Sequence, residues 1–77
     1  MELLRRAPGH PLGRYQSGNY HLRRALNYAD GSQQEQFRHH INEAVLAYTI
    51  AVNKDPGFAQ AWYNRGFCYF LGEGRLD

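Results

Sequence analysis

A row of small residues followed by a proline-glycine turn constrains this chain more than any other feature. Ala44, Ala47 and Ala51 stand beside Tyr48 and Val52 at steps of three and four, which puts them on one helical face. Small side chains there allow another helix to approach closely. Asp55-Pro56-Gly57 then ends the helix, because an internal proline removes a hydrogen bond and clashes with the preceding turn, and glycine lets the chain reverse. A second apolar series follows at helical spacing: Phe58, Ala61, Trp62, Arg65-Gly66, Tyr69 and Phe70. Gly66 falls where a bulky side chain is expected to hold two helices apart. The stretch from Ala44 to Leu71 therefore predicts two packed antiparallel helices.

Upstream, Ala7-Pro8-Gly9-His10-Pro11-Leu12-Gly13 carries breakers at almost every second position and reads as a linker or frayed tail. Helical spacing resumes at Leu22, Ala25, Leu26 and Tyr28-Ala29, with Asn19 as a cap, so a helix is expected to begin near Tyr20. Its end has two readings. Asp30-Gly31-Ser32 is a good local turn, and the continuous stripe Phe37, Ile41, Val45, Tyr48 and Val52 would make Gln33 to Lys54 one long helix. The other reading comes from sliding the chain along itself by about 35 residues. Tyr28 and Gly31 then fall on Tyr63 and Gly66, the first helix runs from about Tyr20 to Phe37, and the turn lies at Arg38-His39-His40-Ile41. The repeat register favours this second reading. Both are all-helical.

Ala44, Tyr48, Ala51, Pro56, Ala59, Trp62, Gly66 and Tyr69 together resemble the signature of a tetratricopeptide repeat (TPR). Ala44 to Pro56 is similar to the second helix of one repeat, and Ala59 to Leu71 to the first helix of the next. The resemblance implies an all-α segment of antiparallel helix-turn-helix hairpins, an alpha-solenoid piece of about three helices. Residues 1–18 are then a basic tail, residues 19–56 a degenerate repeat, and residues 57–77 the first helix of a truncated second one. Gln33, Gln34 and Glu35 depart from the motif, which usually places aromatic or small apolar residues there. Single solenoid repeats bury their faces poorly, so the expectation is a piece of a longer array or a chain that completes its core with a second copy.

The resemblance further implies a scaffold or adaptor module that binds a partner protein or peptide, and no catalysis. In such proteins the first helix of each repeat lines a concave groove, and an asparagine at the place of Asn64 can bind a peptide's terminal carboxylate. Gln60, Tyr63, Asn64, Phe67 and Phe70 are thus the candidate peptide-binding residues, an amide donor beside aromatic rings that cover apolar side chains. Two alternatives belong to other classes. One is a non-catalytic recruiting or regulatory segment of a larger enzyme. The other is a self-associating protein that buries Trp62, Tyr69 and Phe70 in a homo-oligomer.

Other chemistry finds little support. No serine sits in a nucleophile-like turn and no glycine-rich loop follows a strand, so no active site or cofactor is expected. His10, His21, His39 and His40 lack a carboxylate or cysteine at ligand spacing, and adjacent histidines point in different directions, so no metal is expected either. Cys68, between Phe67 and Tyr69, reads as a small core residue without a basic neighbour to stabilise a thiolate. Positive charge concentrates at the start, with five arginines against one glutamate over residues 1–24, and four bases against six acids thereafter. One basic arm is weak support for nucleic-acid binding. No run approaches the roughly 18 apolar residues of a membrane span. A cytoplasmic location is the expectation, with organelle targeting by the arginine-rich start as its alternative.

Overall fold

The computed structural model describes the backbone of residues 10–76 and the side chains of residues 10–73. Three helices form in this region: α1 (Pro11–Leu26), α2 (Gln34–Lys54) and α3 (Ala59–Leu76). The all-α class with about three helices is as expected. The boundaries differ from the favoured register in two places, each for a local physical reason.

Helix α1 starts at Pro11 rather than near Tyr20, so residues 11–18, expected in the tail, are helical. Residues 1–9 of that expected tail, with Arg5 and Arg6, lie outside the described residues. Pro11 occupies the first helical position, where the missing N–H has no intrahelical partner to lose and the fixed φ is already helical. The preceding His10 is extended, and its Nδ1 accepts from the Leu12 N–H at 3.2 Å, doing the work of a capping side chain. A residue that reads as a breaker is therefore the helix starter. Asn19, expected as a cap, lies inside α1.

The turn between α1 and α2 covers residues 27–33, and residues 38–41 lie inside α2. Repeat logic chose the wrong site, and local turn chemistry had the right one. Gly31 adopts φ 86°, a left-handed conformation open to glycine at little cost. The Ser32 N–H donates to Asp30 Oδ1 at 2.9 Å, closing a side-chain turn over the same residues. With the turn there, Tyr28-Ala29-Asp30-Gly31 is loop while Tyr63-Asn64-Arg65-Gly66 is helix, so the two are not structural counterparts.

α2 is the central element, packed against α1 along most of its length and against α3. Phe37, Ile41, Ala44, Tyr48, Ala51 and Val52 are buried along it, joined by Leu22 and Ala25 from α1 and Ala61 and Cys68 from α3. Steps of three and four keep all of these on one stripe of α2. Arg23 and Arg24 end α1 and Lys54 ends α2, favourable charges beside the unpaired carbonyls of a helix C-terminus. Between α2 and α3, Asp55 Oδ1 accepts from the Gly57 N–H at 3.2 Å and its carbonyl accepts from the Phe58 N–H at 3.0 Å. Tyr15 seals this end, its ring 4.8 Å from Phe58 and 6.0 Å from Tyr48 between centroids.

The close approach of helices occurs at Gly18 and not at Gly66. A Cβ on Gly18 would lie 2.5 Å from Cε1 of Tyr48, whereas one on Gly66 would meet nothing within 4 Å. Gly66 is on the exposed side of α3, so its expected spacing role is not the one it has. These two glycines should respond oppositely to the same change. Gly66→Ala is expected to stabilise by about 0.5–1 kcal/mol through the backbone entropy of the unfolded chain. Gly18→Ala is expected to destabilise by about 1–3 kcal/mol, because the tyrosine ring must leave its place. Urea-unfolding midpoints of the two variants check this; shifts of the same sign would refute the packing of α1 on Tyr48.

Candidate functional site

α3 buries a narrow strip and leaves the rest open. Ala61, Cys68 and Gly72 face α2 at steps of seven and four, and Gly72 approaches Ile41 closely enough that a Cβ would touch it at 3.7 Å. The aromatic residues divide between the two flanks of that strip. At 100° per residue, Trp62, Arg65 and Tyr69 share one flank, and Gln60, Tyr63, Asn64, Phe67 and Phe70 share the other. All five candidate peptide-binding residues thus lie on one side of one helix. Phe70 stands about 80° from Trp62 and about 100° from Tyr69, at the outer edge where the two flanks meet, and all three are exposed.

The first flank satisfies itself. The Trp62 indole N–H donates to the Pro56 carbonyl at 2.8 Å, clipping α3 to the turn before it. The Arg65 guanidinium lies 4.8 Å from the Trp62 ring centroid and 5.7 Å from that of Tyr69, and its Nη1 donates to Thr49 Oγ1 on α2 at 3.1 Å. Arg65 therefore ties α3 to α2 and covers two rings.

The second flank is open, and its Asn64 reaches α1. Tyr63 is 75% exposed, Phe70 72% and Phe67 36%, a row at steps of four and three with no ring or cation over it among the described residues. Asn64 roots the row. Its Nδ2 donates to Asn19 Oδ1 on α1 at 3.1 Å, and Tyr48 of α2 donates its hydroxyl hydrogen to the same oxygen. Burial pushes the Tyr48 hydroxyl well above its ordinary pKa, and a long donation from Asn64 Nδ2 to its oxygen, at 3.5 Å, opposes this only in part, so Tyr48 stays a proton donor. A permanent donor fixes the Asn19 oxygen toward itself. Asn19 Nδ2 and Asn64 Oδ1 are then left without partners among the described residues, one a donor and the other an acceptor. By helical spacing, Leu12, Gln16 and Arg23 lie on the same side of α1 as Asn19.

The Asn64 amide therefore differs from its expected use, since one of its hydrogens already holds α1 to α3. Asn19, read from sequence as a cap, supplies the free donor. The signal that could have identified it is the step from Gly18 to Asn19 beside Tyr48, visible only once α1 is known to pass over that ring.

Two further groups take part in the fold. Cys68 is fully buried, and burial pushes its thiol up to about 11. The histidines are arranged as the sequence did not suggest. The His39 and His40 rings lie close together rather than apart, centroids 4.9 Å from each other with planes 68° from parallel, and His21 of α1 brings its Nδ1 to 3.0 Å from Nδ1 of His40. His40 is 8% exposed; burial, then His21, His39 and Arg24, hold its pKa below the ordinary value, opposed by Glu43. No set of three or more His, Cys, Asp or Glu side chains converges among the described residues. No helix described is long and apolar enough to cross a membrane.

No protein-family model, no curated protein and no solved structure matches this chain.

Tyr48→Phe is expected to cost about 0.5–1.5 kcal/mol, because Asn19 loses one of its two donors while the ring packing stays. Thermal unfolding read by circular dichroism measures it; an unchanged midpoint would mean the hydroxyl does not join the three helices. For Cys68, alkylation by iodoacetamide at pH 8 should be far slower in the native chain than in urea, because the thiolate is scarce and covered. Equal rates would place the thiol at the surface.

Proposed function

We propose that this chain is a helical protein-interaction module of tetratricopeptide type, and that it holds an extended segment of a partner protein in the groove between α1 and α3. The observation that carries the reading is the row Tyr63, Phe67 and Phe70, left open beside an unpaired amide donor and acceptor. Aromatic faces without a covering layer favour apolar side chains of a ligand. Asn19 Nδ2 suits a peptide carbonyl or terminal carboxylate, and Asn64 Oδ1 suits a peptide N–H. Arg23 on the α1 side favours an acidic or carboxylate-ended ligand. Gln60 extends the polar edge. The chemistry is recognition without bond-making, and the ligand is proposed as a peptide rather than a nucleic acid.

The spacing of Ala44, Tyr48, Ala51 and Pro56, then Ala59, Trp62, Gly66 and Tyr69, supports the repeat reading. The long α1–α2 hairpin is then an extended version of a repeat, with Gly18 as the glycine at its helix contact. In this reading the module belongs to the cytoplasm and works as part of a larger scaffold.

Selection of a displayed random-peptide library on the purified chain tests the proposal, followed by fluorescence-polarisation titration of the enriched peptides. Phe70→Ala and Tyr63→Ala are each expected to weaken binding about tenfold or more, in line with anchor aromatics at interfaces. Leu46→Ala, on the exposed side of α2, should leave it unchanged. Enrichment that is equal on the Tyr63→Ala/Phe70→Ala double variant would remove the groove as the site.

A further inference from the structure

A polar contact between α1 and α2 is made by two histidines, the side-chain type whose charge changes closest to neutral pH. His21 and His40 bring their Nδ1 atoms to 3.0 Å with ring centroids 5.2 Å apart, and His40 is buried. At that distance one nitrogen holds a hydrogen and the other must offer a lone pair. A charged imidazole carries hydrogen on both nitrogens. The contact therefore accepts a proton on one ring and fails with a proton on both, when two N–H groups of like charge face each other. We propose that the His21–His40 pair is a pH-sensitive latch on the α1–α2 hairpin, closed near neutral pH and opened by acid that charges both rings.

The groups around the pair make a second charge less favourable. α1 adds Arg24 and the Tyr20 ring, which meets His21 edge-on at 5.0 Å between centroids. α2 adds His39, its ring 4.9 Å from His40 and 6.4 Å from His21. Glu43, also on α2, is the carboxylate that opposes these cations. The turn contributes the Tyr28 ring, parallel to His40 within 8° at 6.4 Å, and Asp30, whose Oδ1 accepts from the Ser32 N–H. On α3, Glu73 borders Ile41 and Asn42 rather than His40. Glu43 thus stands against Arg24, His39 and the first charged ring of the pair.

Burial, then His21, His39 and Arg24, hold the His40 pKa below its ordinary value of about 6.5, so below that pH the unfolded chain binds a proton that the folded chain excludes. Stability is full above about pH 6.5 and is lost as pH falls through the window down to the lowered value. One excluded proton lowers the folding constant by about tenfold between about pH 7.5 and 5.5. The effect reaches beyond the pair, because His21 stands about one turn along α1 from Gly18, where α1 rests on Tyr48. Charging both rings pushes apart the two helices whose separation that contact sets.

The latch is independent of the groove, because it is read from stability alone. The experiment measures the folding constant of the full chain by urea unfolding, followed by circular dichroism, at steps from about pH 7.5 to 5.5, above the range where most carboxylates take up protons. The constant should fall below about pH 6.5, by up to about tenfold in all. In His21→Gln the fall should shrink by at least half, on a logarithmic scale, since the amide oxygen can turn toward a charged His40 and carries no charge of its own. His40→Gln should remove it, and His21→Gln, at a half-buried position, decides the matter if His40→Gln does not fold. His39→Gln and His10→Asn should keep most of it. A folding constant that is flat over this range, or one that falls as far in His21→Gln as in the native chain, would overturn the latch.

Discussion

The ring of Tyr48 can lie between the helices only because residue 18 has no side chain, and this contact sets the distance between α1 and α2. From that position the tyrosine reaches in two directions. Its ring joins Tyr15, and through it Phe58, at the end where α2 turns into α3. Its hydroxyl enters the asparagine pair that links α1 to α3, two helices that otherwise touch little. A fully buried phenol would leave an expensive unpaired donor without Asn19, so the polar network and the glycine contact are parts of one arrangement. Moving α1 by one turn would break both at once.

The fold class was legible because α2 writes its buried stripe openly: Phe37, Ile41, Ala44, Tyr48, Ala51 and Val52 repeat at helical steps over the whole element. Its boundaries were harder, for opposite reasons at the two ends of α1. At the start, Pro11 carries the same letter whether it breaks a helix or begins one, and the distinction rests on the extended backbone of His10. At the end, Asp30-Gly31-Ser32 gave an adequate local signal, and the internal register of Tyr28 on Tyr63 competed with it. Local turn chemistry prevailed because a left-handed glycine and a side-chain turn specify a reversal by themselves. A register argued from a few matched pairs specifies none.

The site divides in a similar way. That Gln60, Tyr63, Asn64, Phe67 and Phe70 share a side of α3 follows from 3.6-residue periodicity and needs no tertiary information. What Asn64 bonds to, across 45 positions to Asn19, does depend on tertiary structure, as does the meeting of His21 with His40. Sequence spacing places residues on a helix; only the crossing of helices decides which of them meet. Gly66 shows the converse error, a small residue assigned to an interface although its side of α3 is open.

The two flanks of α3 differ in what a partner could add. On one, Trp62 and Tyr69 already hold the Arg65 guanidinium, and Trp62 has a partner for its N–H, so covering them would displace interactions that exist. On the other, Tyr63, Phe67 and Phe70 have nothing over their faces among the described residues, and covering them is gain without loss. Phe67 is already largely covered, so the row offers the burial of about two side chains, roughly 3–6 kcal/mol at about 1.5–3 kcal/mol each. The rigid-body freedom lost on association costs about 4–15 kcal/mol, so the aromatic row alone is insufficient for tight binding. Under the proposed function, the remainder has to come from the Asn19 donor, the Asn64 acceptor and Arg23. Binding should then depend on the ligand's backbone polarity as much as on its apolar side chains, which is how a short aromatic surface avoids holding every exposed hydrophobe it meets.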